Sequence, residues 1–595
     1  MRAATTVCEL FQLTASRHAD REALRTRGGE ATITWREYAR RVRDIAAGLA
    51  ALGLARGETL ALMLVNRPKF HLVDTAALHL GAVPFSLYNS SSPEQLEYLL
   101  RDSGSRIVVT EQAFLGSIER ARAGCPSIEH VFVVDGTPSL TDLALPAAPD
   151  FDFEAPWRAV QPSDLLTLIY TSGTTGPPKG VQITHANYLA ELRAFDGIAD
   201  FEPGRLVSYF PMAHIAERVV SHYNAIAYGH TVTCCPDPKQ VISYLPEVRP
   251  TFFFAVPRIW EKVKAALEAR IADEPDAARR TAIRSALELG LRSVRAEQAG
   301  DDVSPDLAER CARAEATLFS KLREQLGLDQ AEHVLTGAAP SSVDVLEFFH
   351  AIGIDILEVW GLSEVTGLAT ANPPGGAKLG TVGPAAAGVE LRLADDGEVL
   401  VRGGIVMAGY RNQPEKTADA IDAEGWFHTG DVGELDDDGY LRIVDRKKEI
   451  IINVAGENMS PANIEARVKS SSTLIGQVCV IGDARPYNVA LIVLDPDGAA
   501  AFAEQRRLED RSLAALARDS AVIDEITRAV ERANSHLSRP EQIKKFRVLG
   551  TEWEAAGEEL TPTLKLKRRP IERRYAEEIE MLYAEDASSV RVISR

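Results

Sequence analysis

Cysteine, continuous apolar runs and surplus positive charge are all scarce in this sequence. Only six cysteines occur in 595 residues: Cys8, Cys125, Cys234, Cys235, Cys311 and Cys479. None forms a CxxC pair or a Cys/His spacing suited to zinc, and so few thiols do not make a disulfide framework. A reducing cytoplasm is the expected setting. The opening stretch MRAATTVCELFQLTASRHAD lacks the apolar core of a signal peptide. No run approaches the ~18 apolar residues of a membrane-spanning helix; peripheral contact with the inner face of a membrane stays open. Acidic residues outnumber basic ones, 85 to 66, for a formal net charge of −19. That balance speaks against general nucleic-acid binding, which needs basic surface to neutralise phosphates. It does not exclude an anionic ligand, because a local pocket can oppose the global charge.

What is present is ordinary globular material: 45% hydrophobic and 25% charged residues, which excludes a collagenous, mucin-like or disordered chain. The length allows several structural units. Tyr38, Val42, Ile45, Ala46 and Leu49 recur at helical spacing and predict an amphipathic helix over 36–53, with Gly53 as its C-terminal cap. Thr59–Val65 reads as a buried strand. Ser92-Pro93-Glu94-Gln95 predicts a helix start, with Ser92 and Gln95 forming a capping box. Arg106–Thr110 and His130–Val134 read as further strands. The alternation predicts an α/β fold with mostly parallel sheets in a large N-terminal region of several subdomains. From about 261 to 328 the composition turns to Ala, Arg, Glu and Leu with little glycine, which predicts a helical insertion. From about 380 to 445 short strands around Asp-Gly turns predict a small, β-barrel-like subdomain. Beyond it, helices over Ser460–Lys469 and Ala517–Leu537 and strands over Gln477–Ile481 and Ala490–Leu494 predict a separate α+β C-terminal domain. The expected division is 1–445 and 446–595.

The segment Tyr170–Gly180, YTSGTTGPPKG, follows the apolar strand Leu165–Ile169. Its small residues let backbone N–H groups approach anionic oxygens, its hydroxyls add donors, and Lys179 supplies a point charge. This is phosphate-loop composition, although not the Walker arrangement, because Gly180 follows Lys179. Taken alone, the same composition also suits a flexible surface turn.

Four further segments join it in order: Gly337-Ala338-Ala339-Pro340, Val359–Gly367 (VWGLSEVTG), Gly425–Asp431 (GWFHTGD) and Leu560–Arg569 (LTPTLKLKRR). With Asp445-Arg446-Lys447-Lys448 at the domain junction, the set resembles the adenylate-forming, AMP-binding superfamily over nearly the whole chain. Within it, PMAHIAER at 211–218, AVPRIWEK at 255–262 and the TPTLKLKR ending are similar to bacterial long-chain fatty acyl-CoA synthetases.

The resemblance implies an ATP-dependent ligase that forms acyl-AMP and then acyl-CoA, with a mobile C-terminal domain. By that resemblance Thr171, Ser172, Gly173, Thr174, Thr175 and Lys179 hold the β- and γ-phosphates. Gly337, Ala338, Trp360, Gly361, Leu362 and Ser363 surround the nucleotide, Asp431 accepts from the ribose hydroxyls, and Arg446 adds a ribose contact or holds the hinge. Glu364, with Thr171, is the candidate magnesium ligand. Lys565 is the candidate catalytic lysine, with Lys567 two positions away as the competing register. His214, grouped with Lys565 and Glu364 as a candidate catalytic residue, gates or lines the acyl site or orients the carboxylate. Lys448 is the candidate hinge, and Gly456, Glu457 and Asn458 form the coenzyme A-side loop. Each has a plainer reading: exposed loop for Glu364, core for Trp360 and His214, turn cap for Asp431, surface for Arg446, and a solvated basic tract for Lys567, Arg568 and Arg569. ATP, Mg2+, coenzyme A and a fatty acid are the implied ligands, with no nucleic-acid partner; a homodimer is compatible. The alternatives are a fatty acyl-AMP ligase serving a carrier protein, a CoA ligase for another hydrophobic carboxylic acid, and a lipid-binding relative without turnover.

Overall fold

The computed structural model describes residues 4–144, 151–171, 177–454, 456–555, 557–561, 564–584 and 591–592. The helix predicted over 36–53 runs from Trp35 to Ala51, with the Thr34 side chain accepting from the Glu37 amide. Its buried stripe of Tyr38, Val42, Ile45, Ala46 and Leu49 is the one the spacing indicated. The helix Pro93–Ser103 begins with the Ser92/Gln95 capping box, both halves formed.

Parallel strands dominate the N-terminal region. One sheet orders Val83–Ser86, Thr59–Met63, Ile107–Thr110 and His130–Val133, all parallel. A second joins Arg205–Ser208, Thr231–Cys234 and Glu22–Thr26 in parallel, with Thr32–Thr34 antiparallel at its edge. A third carries the parallel strands Phe252–Ala255, His333–Thr336 and Ile356–Trp360. The segment from 257 to 326 is helical, built from Pro257–Ala272, Ala277–Ala299, Pro305–Ala314, a π-turn and Ser320–Leu326. It packs its apolar side on a core that includes Trp260, Phe319, Phe348 and Phe349.

The β-rich part is a four-stranded antiparallel sheet in the line Val389–Leu393, Glu398–Gly403, Phe427–Leu435, Leu441–Arg446. Its last strand leads into the C-terminal unit. There Ile475–Ile481 and Asn488–Leu494 pair antiparallel, and Ile543–Leu549 lies parallel to the second. Val478, Val480, Ala490 and Ile492 face one apolar cluster; Cys479, Ile481, Val489 and Leu491 face another. A strand buried on both faces reads as an unbroken apolar run, which is how these segments look in sequence.

Among the described residues no helix is long and apolar enough to cross a membrane.

Candidate functional site

Two parallel strands end together. His333–Thr336 runs into Gly337 and Ala338, and its neighbour Ile356–Trp360 runs into Gly361. The crevice beyond the carboxyl ends of such strands is where open α/β sheets place ligands. Backbone demands explain the small residues there. A Cβ on Gly337 would stand 2.8 Å from the Val359 carbonyl oxygen, and one on Gly361 would stand 2.0 Å from that of Gly367. Ala338 itself adopts φ 68°, a left-handed conformation that costs an alanine energy and is held by its surroundings. The loop Leu362–Gly367 closes on itself, the Leu362 carbonyl accepting from the Val365 and Gly367 amides at 3.2 and 3.0 Å.

The two ends of the phosphate-loop segment lie on paired antiparallel strands, Leu165–Thr171 and Lys179–Thr184, in which Thr171 pairs with Lys179. Ser172, Gly173, Thr174 and Thr175 lie outside the described residues. Tyr410 pairs with Val181 on the far edge of the hairpin. The Lys179 ammonium sits 4.4 Å from the Tyr410 ring centre, and the Tyr410 hydroxyl donates to Glu364 Oε1 at 2.9 Å. Burial lowers the Lys179 pKa, Glu364 opposes that shift, and Lys448 adds to it from nearby. Sequence reasoning did not find Tyr410; its only local signal is a Gly-Tyr pair at 409–410, and the hairpin contact that matters is made across the fold.

On the opposite side, Asp431 and Arg446 are direct partners across the antiparallel pair of strands. Arg446 Nε lies 2.6 Å from Asp431 Oδ1, and Trp360 Nε1 donates to Asp431 Oδ2 at 2.9 Å. Asp431 is buried; that raises its pKa, while Arg446, Trp360 and Lys565 counter the shift. The indole is thereby tied to the carboxylate rather than lost in the core.

Lys565 comes from the C-terminal unit, on a tight turn where Thr561 donates its amide to the Lys565 carbonyl at 2.8 Å. Its side chain is crowded by the N-terminal region yet keeps solvent contact in the cleft. Crowding lowers its pKa, Arg446 lowers it further, and Asp431, Glu449 and Glu364 pull it back. His214 feels Lys565 in turn. Burial first and that ammonium second depress its pKa to about 3, so the ring is neutral at physiological pH. His214 caps a short helix, its ring accepting from the Ala216 amide at 3.2 Å. Lys179, Glu364, Asp431, Arg446, His214 and Lys565 thus form one chain of electrostatic neighbours at the ends of these strands.

Other predicted residues lie apart. Lys567 donates to the Gly557 carbonyl at 2.8 Å. The reading of 567–569 as a solvated basic tract is corrected at Arg568: its side chain is 13% exposed and grips both carboxylate oxygens of Glu465 at 2.7 Å. Gly456, Glu457 and Asn458 stand exposed at the end of a short hairpin, with Glu457 bonded back to Asn453. Lys448 is exposed in the turn after Arg446, while Lys447 is held by Glu398 at 3.0 Å. Asp445 anchors the junction, accepting from Ser460 Oγ at 2.6 Å and the Ala462 amide at 3.1 Å.

The chain has counterparts among known proteins. A family model described as AMP-binding enzyme matches residues 11–411, and one described as AMP-binding enzyme C-terminal domain matches 448–587. A Mycobacterium tuberculosis protein with a provisional fatty-acid–CoA ligase name is 51% identical over 76% of this chain and 79% of its own length. A long-chain-fatty-acid–CoA ligase of Mycobacterium bovis is 34% identical over 93% of this chain and 92% of its own. Among solved structures, the adenylation domain of a carboxylate reductase from Mycobacterium chelonae superposes with a TM-score of 0.74 at 22% identity, covering 98% of this chain and 91% of that one. That likeness speaks for the fold.

Proposed function

The chain belongs to the AMP-binding enzyme family, and from that premise we propose that it is an ATP-dependent fatty-acid–CoA ligase acting on long-chain acids. The observation that carries the reading is the convergence of Lys565 from the C-terminal unit on the cleft bounded by Lys179, Glu364, Asp431 and His214. In the first half-reaction a fatty carboxylate oxygen attacks the α-phosphorus of ATP; the bond to the β-phosphate oxygen breaks and pyrophosphate leaves. In the second, the coenzyme A sulfur, its proton lost, attacks the acyl carbon and AMP departs.

Both partners of the first step are anions, so its barrier is chiefly electrostatic. Lys179 and the hairpin turn meet the β- and γ-phosphates. Asp431, already oriented by Arg446 and Trp360, accepts from the ribose hydroxyls. Lys565 spans the carboxylate and α-phosphate, where negative charge gathers. His214 is neutral and the carboxylate needs no deprotonation, so the ring positions and lines rather than acting as a base. Glu364 is a hard carboxylate beside the phosphate hairpin, and magnesium commonly binds through one or two carboxylates plus substrate phosphates. The donor set fits that ion, which would neutralise phosphate charge. The lid then turns about the junction near Lys448, withdrawing Lys565 and presenting Gly456, Glu457 and Asn458 to the thiol.

The test separates the two halves. Lys565→Ala is expected to cut fatty-acid-dependent pyrophosphate release by at least about a hundredfold, with transfer from supplied acyl-adenylate to coenzyme A largely kept. Equal losses in both halves would remove Lys565 from this role, and no pyrophosphate release with any fatty acid would remove the substrate class.

A further inference from the structure

Just past Glu364 the cleft wall is shaped by a missing side chain. A Cβ on Gly367 would lie 3.1 Å from Glu191 Oε1, 3.7 Å from Ile215 Cγ1 and 3.8 Å from Val219 Cγ2. Gly367 adopts φ 123°, a conformation that side-chain-bearing residues avoid, and any Cβ there would crowd the Glu191 carboxyl group. Two of the three groups around it are the apolar Ile215, which directly follows His214, and Val219, four residues further along. The third is a carboxyl group.

Glu191 lies on the helix His185–Asp196, which leads away from the phosphate hairpin. It is fully buried, and neither carboxyl oxygen has a hydrogen-bond partner among the described residues. Burial drives its pKa well above the carboxylate range; the Leu368 amide nearby offsets part of this without reaching regular hydrogen-bond geometry. A neutral carboxyl can donate one hydrogen bond and accept others. Leaving such a group unpaired in the interior is destabilising. The buried polar neighbours on the same helix are engaged elsewhere: His185 accepts from the Val7 amide, Asn187 donates to the Gly404 and Val406 carbonyls, and Tyr188 donates to Asn224 Oδ1.

We propose that Glu191 is a specificity-determining residue whose carboxyl hydrogen-bonds an oxygen substituent, a hydroxyl or keto group, carried along an otherwise apolar acyl chain. The inference rests on the fatty-acid–CoA ligase reading and narrows its substrate class. A carboxyl facing an alkyl chain stays unpaired and disfavours a plain alkanoate, whereas a substituent at the matching position satisfies it.

The experiment compares pyrophosphate release by the full chain with plain hexadecanoic and octadecanoic acids and with the same acids bearing one hydroxyl or keto group at successive positions. At one position kcat/KM is expected to exceed that of the plain acid by at least about tenfold, the scale of one buried hydrogen bond. Glu191→Leu should bring that ratio to about one, and Glu191→Gln, which still donates and accepts, should keep most of it. The ratio is taken on one preparation, so a loss of folded enzyme cancels. A native chain without preference at any position, or a ratio unchanged in Glu191→Leu, overturns the inference. Failure of the underlying reading looks different: no pyrophosphate release with any acid, plain or substituted.

Discussion

Glu358 stands two positions before Trp360 on a strand entering the cleft, and its side chain is 7% exposed. Burial pushes its pKa up to about 8; the Gly380 amide, donating at 3.0 Å, holds it back in part. An unfolded chain gives up this proton near 4.5, the folded one only near 8. Folding therefore becomes less favourable as pH rises between those values and levels off above them, at ~1.4 kcal/mol per pH unit for one such group. Glu358→Gln removes the titration. Its melting temperature relative to the native chain is expected to climb between about pH 5 and about pH 8, the window between the two pKa values. A pH-independent difference, read by thermal denaturation, would show that Glu358 is ionised in the fold. Nothing local marks this residue, because the ILEVW pattern is the same for a paired or an unpaired glutamate; its burial comes from the chain segment around Gly380.

At the scale of elements, the phosphate hairpin shows what a motif conveys and what it omits. Strand, small-residue turn and lysine were readable along one stretch of chain. The third strand, Gly409–Tyr410, arrives from far along the sequence and completes the Lys179–Tyr410–Glu364 chain. Tyr410→Phe keeps the ring under Lys179 and removes the hydroxyl on Glu364. Adenylation kcat/KM is expected to fall about tenfold, as for loss of one hydrogen bond to a charged group, and Tyr410→Leu should cost more by removing the cation–π contact too. Matching rates for the native and Phe forms in a pyrophosphate assay would separate Tyr410 from the site. Arg568 carries the complementary lesson. Basic tracts are usually solvated, yet Glu465, 103 residues away, draws this arginine inside. The Ser92–Gln95 cap was legible for the opposite reason: every atom it uses lies within one helical turn.

Across the whole molecule, the position of Lys565 depends on how the C-terminal unit sits. Arg258, on the first helix of the insertion, reaches Asp495 Oδ2 of that unit at 2.7 Å while its other nitrogen holds Glu261 at 2.9 Å. Lys262 faces Asp497 at 3.3 Å, a more exposed pair worth little by itself. Asp495 also caps the helix Pro496–Arg506, accepting from the Gly498 amide at 3.0 Å. This partly buried pairing favours the arrangement with Lys565 in the cleft. Arg258→Ala is expected to slow pyrophosphate release by roughly tenfold, since a close charge pair contributes about 1.5 kcal/mol or more. Transfer of supplied acyl-adenylate to coenzyme A should hold or quicken. Single-turnover measurement of each half decides the matter; equal slowing of both would mean that Arg258 supports the N-terminal region alone.

Local matters were legible along the chain: where helices begin and which face they bury, which loop has phosphate-loop composition, and which family the ordered motifs resemble. These follow from residue type and near spacing, because caps, turns and apolar stripes are settled within a few residues of chain. It took the tertiary fold to show that Trp360 and Arg446 share Asp431, that Tyr410 joins Lys179 to Glu364, that Glu191 is buried beside Gly367 with no hydrogen-bond partner among the described residues, and that Lys565 comes near Asp431 and Glu364. Each of those depends on groups distant in sequence being brought together, and there burial and neighbouring charge, rather than residue type, set protonation and partner.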